Sequence, residues 1–230
     1  MSTPAKQLRS APRAPRRGPA RARTRLAPAD RRSELLRVAA ALMTEGGVDA
    51  VQFAQVASAA GVTRPLVYKF FPSRPALIIA VLEDFAAELR ARFGDGASRS
   101  IPGNQIEAAR VFIEAVCETI EDRGAGPWHL LDGKGPDPQI ARRGQELLDT
   151  IVAPWRTPIA EYAGVSEREA ATLARMIVAA GRAVLELWYS GELTREEAVR
   201  DATRGVSALV EGFGRTKSAS TTTRARRARR

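Results

Sequence analysis

The run from Phe53 to Phe71, FAQVASAAGVTRPLVYKFF, admits few conformations. Phe53, Val56, Ala57 and Ala60 recur at i, i+3, i+4 and i+7, which gives a short helix one apolar face and leaves Gln55 and Ser58 outside. Gly61 follows where the chain must leave that helix, and only glycine takes a left-handed backbone there without a Cβ penalty. Thr63 stands at the cap position of a second helix, its hydroxyl expected to accept a backbone N–H of the next turn. Pro65 falls in that first turn, where a missing donor does no harm. Val62, Val67 and Phe71 then point inward, while Thr63, Arg64, Leu66 and Lys69 share the opposite, cationic surface. A small residue (Ala57) where two helices cross, a glycine in the turn and a branched aliphatic (Val67) under the second helix make the helix-turn-helix pattern. Many helical hairpins share that spacing, so the flanks have to carry the functional reading.

The flanks are informative. The run AGVTRPLVYKFFPSRPAL resembles the DNA-binding signature of the TetR family of bacterial transcriptional repressors: an alanine-glycine-valine turn, a Ser/Thr cap, a Tyr-x-x-Phe end and a basic residue opening the next helix, here Thr63, Tyr68, Phe71 and Arg74. The match is close over residues 33–85 and loose afterwards. The resemblance implies an all-α fold, a three-helix helix-turn-helix DNA-binding domain joined to an α-helical ligand-binding and dimerisation domain. It also implies that Tyr68 touches a phosphate and that Thr63, Arg64 and Lys69 face the groove, and Pro65, Leu66 and Arg74 complete the expected DNA-contact set. Arg64 is the candidate for a base contact, because a guanidinium reaches guanine O6 and N7 together; Lys69 and Arg74 are expected at phosphates, which fix register without reading sequence. Leu66 would either meet a thymine methyl or pack beside Phe70.

Charge divides the chain. The net +10 conceals two basic ends, residues 1–32 and 215–230, which together carry +16 and leave −6 on the 182 residues between them. Residues 1–27 are rich in Pro, Arg and Ala with almost no large apolar side chains, so they are expected to be a disordered basic arm; 215–230 is expected to be a second disordered basic tail. Such tails suit a polyanion, and serve equally as solubilising extensions. Between them the reading is a DNA-binding domain at 28–75 and an effector-binding and dimerisation domain at 76–214. A first helix from Pro28 to Met43 or Thr44 ends at Gly46-Gly47, and Gln52 leaves the next helix without an evident cap. After Pro72, Ser73 is expected to cap a long helix striped with Leu77, Ile78, Val81, Leu82, Phe85 and Leu89. Gly94–Gly103 reads as a linker. Further helices are expected over about 104–122 and 139–162, the latter kinked or split by Pro154 and Pro158, with a short turn at Trp128–Leu131. Ser166-x-x-Glu169 and Thr194-x-x-Glu197 announce capping boxes for the last two helices, which the resemblance implies pair with their copies in a homodimer.

Phe112, Trp128, His129, Trp155, Met176 and Arg182 are the candidates for an internal effector cavity, because such a cavity is mostly apolar with few polar groups. Arg175 and Arg182 would meet an anionic ligand or lie on the solvent face. One cysteine and one histidine exclude a disulfide and a zinc cluster, and no apolar stretch is long enough to span a bilayer, so a cytoplasmic protein with no membrane partner, metal or cofactor is expected. An enzyme is disfavoured by the lack of a glycine-rich phosphate loop, a nucleophile motif or a second histidine. Two readings remain: a regulator, in the first instance a repressor, that binds a palindromic operator in double-stranded DNA as a homodimer and is released by a small-molecule effector, or an architectural DNA-binding protein without an effector.

Overall fold

The computed structural model describes residues 27–97, 105–131, 133, 135 and 137–227. Nearly all of the arm expected at 1–27, residues 98–103 of the expected linker and the last three residues lie outside the described residues. Among the described residues the chain is helical without a strand: α1 (Pro28–Gly46), α2 (Phe53–Ala59), α3 (Arg64–Phe70), α4 (Arg74–Ala97), α5 (Gln105–Arg123), α6 (Gly126–Leu130), α7 (Pro138–Val152), α8 (Arg156–Ala163), α9 (Glu167–Tyr189) and α10 (Arg195–Arg227). Short 3-10 turns at Val48–Ala50 and Ala153–Trp155 precede α2 and α8.

One continuous apolar core threads these helices. On α1 the fully buried residues are Leu35, Leu36, Ala39, Ala40 and Met43. Val38 and Leu42 beside them are only partly covered. Helix α4 is the axis of the molecule, with all six of its predicted apolar residues buried; it packs against α1, α5, α6 and α7. Ser73 caps it as expected, its hydroxyl accepting the Ala76 N–H at 3.2 Å. Gly94 does not end the helix, which continues through Gly96 to Ala97; each glycine lowers helix propensity by only about 1 kcal/mol, and no proline follows until Pro102. The last helix likewise runs through Gly214 to Arg227, across most of the segment expected to be a disordered tail.

The two capping boxes form as read: Ser166 with Glu169, and Thr194 with Glu197, each carboxylate accepting the cap N–H (2.7 and 2.8 Å). The predicted 139–162 helix splits at Pro154, which cannot donate to the carbonyl four residues back, so α7 gives way to a 3-10 turn before α8 begins; Pro158 lies in the first turn of α8, where its missing donor costs nothing. A cap that the sequence reading passed over starts α7, where the Asp137 carboxylate accepts the N–H groups of Gln139 and Ile140.

Arginines tie the outer helices to α4 and α5. Arg92 pairs with Glu88 on its own helix and Asp122 on α5, and Arg123 reaches back to Asp84 (3.0 Å) and Glu88 (3.1 Å). The hydrogen bond from Arg92, with Arg123 nearby, holds the Glu88 carboxyl below the usual carboxylate range. Arg143 on α7 pairs with Glu83 at 2.8 Å, and Arg195 at the start of α10 faces Glu121 at 3.4 Å. Among the described residues no single helix is long and apolar enough to cross a membrane.

Candidate functional site

The helix-turn-helix is built by backbone hydrogen bonds at its turn. Gly61 adopts φ +60°, its N–H donating to Ser58 O (3.0 Å) while the Val62 N–H donates to Ala57 O (2.8 Å). That pair of bonds is the Schellman closure of a helix, and it turns the chain towards α3 while satisfying carbonyls that α2 would leave open. Thr63 occupies the cap position in extended conformation, but its hydroxyl makes no capping bond; the Thr63 carbonyl accepts the Leu66 N–H at 3.0 Å instead. The expected side-chain cap is therefore replaced by a backbone turn, and the Thr63 side chain is exposed. Gln52 also leaves α2 without a side-chain cap, its amide donating to Asp49 O.

Helix α3 buries Val67 completely, partly covers Leu66 and Phe70, and leaves Thr63, Arg64, Pro65, Tyr68 and Lys69 exposed. Tyr68 is 48 % exposed although its ring stands edge-on to Phe53 with centroids 4.5 Å apart. Its hydroxyl accepts a hydrogen bond from Arg64 Nη2 at 3.2 Å, and the Arg64 guanidinium lies 5.6 Å from the Tyr68 ring centroid. Phe53 thus fixes Tyr68, and Tyr68 in turn orients Arg64 across one helical turn.

Arg74 turns back onto the protein's own backbone. Its guanidinium folds back on the segment before α2, donating from Nε to Val51 O (2.9 Å) and from Nη2 to Val48 O (2.7 Å) and Asp49 Oδ1 (3.2 Å). Val51 is fully buried, so Arg74 satisfies a carbonyl that water does not reach and locks the start of α4 to the approach of α2.

A second site lies among the later helices. A cavity of about 90 Å³ is walled by α5, α6, α7, α8, α9 and α10 around Phe112, Trp128, Trp155, Ile177, Leu185 and Val210. Trp155 closes one end in an aromatic triangle with Phe93 (4.9 Å) and Phe112 (5.9 Å). Trp128 is 3 % exposed, and its indole N–H has no acceptor within reach among the described residues. Arg182 stacks on Trp128 at 4.8 Å and donates from Nη1 to the Trp128 carbonyl at 2.9 Å. Four of the six expected cavity residues, Phe112, Trp128, Trp155 and Arg182, therefore come together. His129 and Met176 do not: His129 is exposed against Tyr189, with ring centroids 5.2 Å apart, because the one-residue step from Trp128 turns it about 100° round α6. Met176 is 40 % exposed on the outer face of α9. Residues not singled out from the sequence, among them Ile113, Val116, Leu148, Val178 and Val206, complete the wall; they sit in apolar stripes where cavity lining and ordinary core look alike.

The cavity adjoins a groove of about 340 Å³ between α7 and α9, the two sharing Leu148, Val152, Val178 and Arg182. Arg156 and Arg175 line this groove with Asp149, Glu186 and Gln145. Helix α6 connects the cavity to the helix-turn-helix: Trp128 faces the cavity, and the Gly126 N–H donates to Thr44 Oγ1 at the end of α1 (3.1 Å). A Cβ on Gly126 would lie 2.7 Å from the backbone of both Met43 and Thr44, so only glycine permits the two helices to meet this closely. Among the described residues no group of His, Cys, Asp and Glu is placed to hold a metal ion.

Residues 35–81 match the family described as bacterial regulatory proteins, tetR family. An uncharacterised HTH-type transcriptional regulator of Mycobacterium bovis is 38 % identical over 81 residues, covering 35 % of this chain. The chain spans 43 % of that curated relative, less than half its length. The fold is similar to a TetR-like transcriptional regulator from Rhodococcus sp. RHA1, at TM-score 0.65 and 17 % identity over 81 % of this chain and 96 % of that one. A tetR-family regulator from Streptomyces coelicolor follows at TM-score 0.61 and 22 % identity, over 84 % and 90 % of the two chains. At these identities the structural likeness is one of fold.

Proposed function

We propose that this chain, whose residues 35–81 match the tetR family of bacterial regulatory proteins, is a sequence-specific DNA-binding transcriptional regulator, a repressor released by a small organic effector. The observation that carries the reading is the division of α3: Val67 is sealed in the core while Thr63, Arg64, Tyr68 and Lys69 stand on its open side. A helix held this way enters a major groove with Arg64 at a base edge, Thr63 and Pro65 at its leading end, and Tyr68 and Lys69 at the phosphates. Leu66, half-covered by its neighbours, serves packing more than contact. Arg74 is left out of the contact set because its donors hold the protein's own carbonyls.

The regulator works as a homodimer on a palindromic site in double-stranded DNA, in the cytoplasm. Met176 and Leu187, 40 % and 39 % exposed on one face of α9, supply the apolar surface against which a second copy packs. The effector occupies the cavity around Trp128. It acts through α6, because Trp128 and the Gly126 contact with Thr44 lie two residues apart on one turn of helix. An effector shifts DNA affinity only by as much as it prefers one arrangement of α6 over the other.

Footprinting with the full chain on DNA flanking its own gene tests the proposal. A protected inverted repeat at moderate salt, lost in Arg64→Ala, is the expected result. Binding that is equal on all sequences would refute specific regulation.

A further inference from the structure

The cavity and its adjoining groove differ in chemistry, and that difference specifies a guest. The cavity wall is apolar apart from the Trp128 indole N–H, Tyr162 and Arg182. Its 90 Å³, at roughly 10–15 Å³ per water-sized group, holds about six to nine such groups, the size of a phenyl ring or a chain of six to eight carbons. The groove is polar and larger, and brings three guanidiniums (Arg156, Arg175, Arg182) against two carboxylates (Asp149, Glu186). Asp149 already accepts from Gln145 Nε2 at 3.1 Å, and Arg182 is committed to the Trp128 carbonyl.

Arg156 and Arg175 differ in setting: Arg156 Nε is buried with no acceptor among the described residues, and Arg175 is exposed on the α9 side of the groove. Trp128 lines the cavity and Arg156 the adjoining groove. A guest that presents oxygen acceptors on an apolar body matches the guanidiniums of the groove, whereas a hydrocarbon offers them no acceptor. Formal charge sets the sign: the groove stands at +1, a monoanion brings it to zero, and a cation would raise it to +2.

The geometry points to an organic carboxylate as the effector class: an apolar body of about six to eight carbons in the cavity around Trp128 and Trp155, its carboxylate in the groove at Arg156 and Arg175. This rests on the proposed effector site and narrows it to one ligand chemistry. A planar guanidinium pair suits a carboxylate because it offers two parallel donors to two oxygens.

The test uses octanoate, 1-octanol and octylammonium, equal in chain length and different in head charge. Binding to the full chain without DNA is followed by fluorescence of Trp128 and Trp155 and by calorimetry. Octanoate is expected to bind at least tenfold more tightly than octanol, with octylammonium weakest, and the advantage over octanol should vanish in the double variant Arg156→Gln, Arg175→Gln. Octanol binding in that variant should be unchanged, which shows that the cavity is still folded. Equal affinities for octanoate and octanol, preference for the amine, or no binding of any of the three would overturn the assignment. DNA binding by the ligand-free protein is scored separately, so a failure of the regulator reading is not mistaken for a failure of this one.

Discussion

Replacing Arg74 by methionine separates the two roles open to this side chain. Methionine keeps most of the apolar stem and removes every donor. The loss is then the bond from Nε to the buried Val51 carbonyl, at 2.9 Å, and the bond from Nη2 to Val48, at 2.7 Å. The Val48 carbonyl keeps the Val51 N–H as a partner at 3.2 Å, whereas Val51 is fully buried and its carbonyl is left with no comparable donor. Stranding one buried acceptor costs about 1–3 kcal/mol, and losing the second, partly hydrated bond adds about 0.5–1.5 kcal/mol. The salt bridge to Asp49 adds little, since the Asp49 side chain is 90 % exposed. A total of about 2–4 kcal/mol corresponds to a fall in Tm of roughly 5–15 °C for a chain of this size. The assay is calorimetric melting of Arg74→Met alongside Lys69→Met, each paired with a salt titration of DNA binding. A phosphate contact contributes close to one unit of salt slope, so Lys69→Met should flatten the slope by about one with an unchanged Tm. Arg74→Met should lower Tm and leave the slope alone. An unchanged Tm with a flatter slope in Arg74→Met would refute the clamp and restore Arg74 to the DNA.

Gly126→Ala should force α6 away from α1, because its Cβ would stand 2.7 Å from two backbone atoms that no rotamer change can move; overpacking of about 1–3 kcal/mol, read as a Tm loss of roughly 2–10 °C, is expected, and a wild-type melt would show that the contact is loose. Tyr68→Phe removes the acceptor that holds Arg64 but keeps the ring on Phe53, so operator affinity in a gel-shift assay should fall about two- to tenfold while Tm stays within about 1 °C; a fall in Tm without loss of affinity would mean that the pair is structural only. Burial pushes the Cys117 thiol up to about 12, so it should resist alkylation in the folded protein at pH 9 and react once the chain is unfolded. Because its folded pKa lies above the unfolded value near 9, its contribution to stability is complete below pH 9 and declines as pH rises towards 12, which urea melts at pH 8 and 10.5 would register. Glu88 has the opposite sign: its carboxyl is held low by Arg92 and Arg123, so its contribution is present above about pH 4.5 and is lost on acidification, and Glu88→Gln should flatten the acid limb of the stability profile.

The parts of this molecule that obey a local rule were legible in the chain. Helical spacing located the six large core residues of α4, missing only the small Ala80 and Ala86, and the Ser166 and Thr194 boxes marked two helix starts because a capping box involves only residues three apart. Gly61 was legible for the same reason, since a left-handed residue ending a helix needs glycine whatever surrounds it. Where the local rule allowed alternatives, the tertiary setting decided. Thr63 has the residue type of a cap and takes the backbone of one, yet its hydroxyl is left out because the turn closes through the Thr63 carbonyl. Gly94 is a helix breaker by composition and a helix residue in place.

Side chains that act across the fold were the least legible, and Arg74 and Trp128 show why. Arg74 bonds residues 23 and 26 positions before it, and nothing at its own position distinguishes a guanidinium aimed at a carbonyl from one aimed at a phosphate, since both targets are oxygen acceptors. Trp128 and His129 stand side by side in sequence with the same flanking residues, and the 100° step along α6 sends one into the cavity and the other out against Tyr189. For a helix of five residues that step cannot be phased from periodicity, because a single turn has no repeat to measure. The phase is set instead by the close approach of Gly126 to Met43 and Thr44, a contact 82 residues apart in the chain. The same glycine that lets α6 sit against the helix-turn-helix therefore fixes which of its side chains faces the cavity. A substitution there would disturb effector contact and communication with α1 together, which makes double-mutant coupling between Gly126→Ala and Trp128→Phe, measured on octanoate affinity, the sharpest check that the two ends of α6 act as one body.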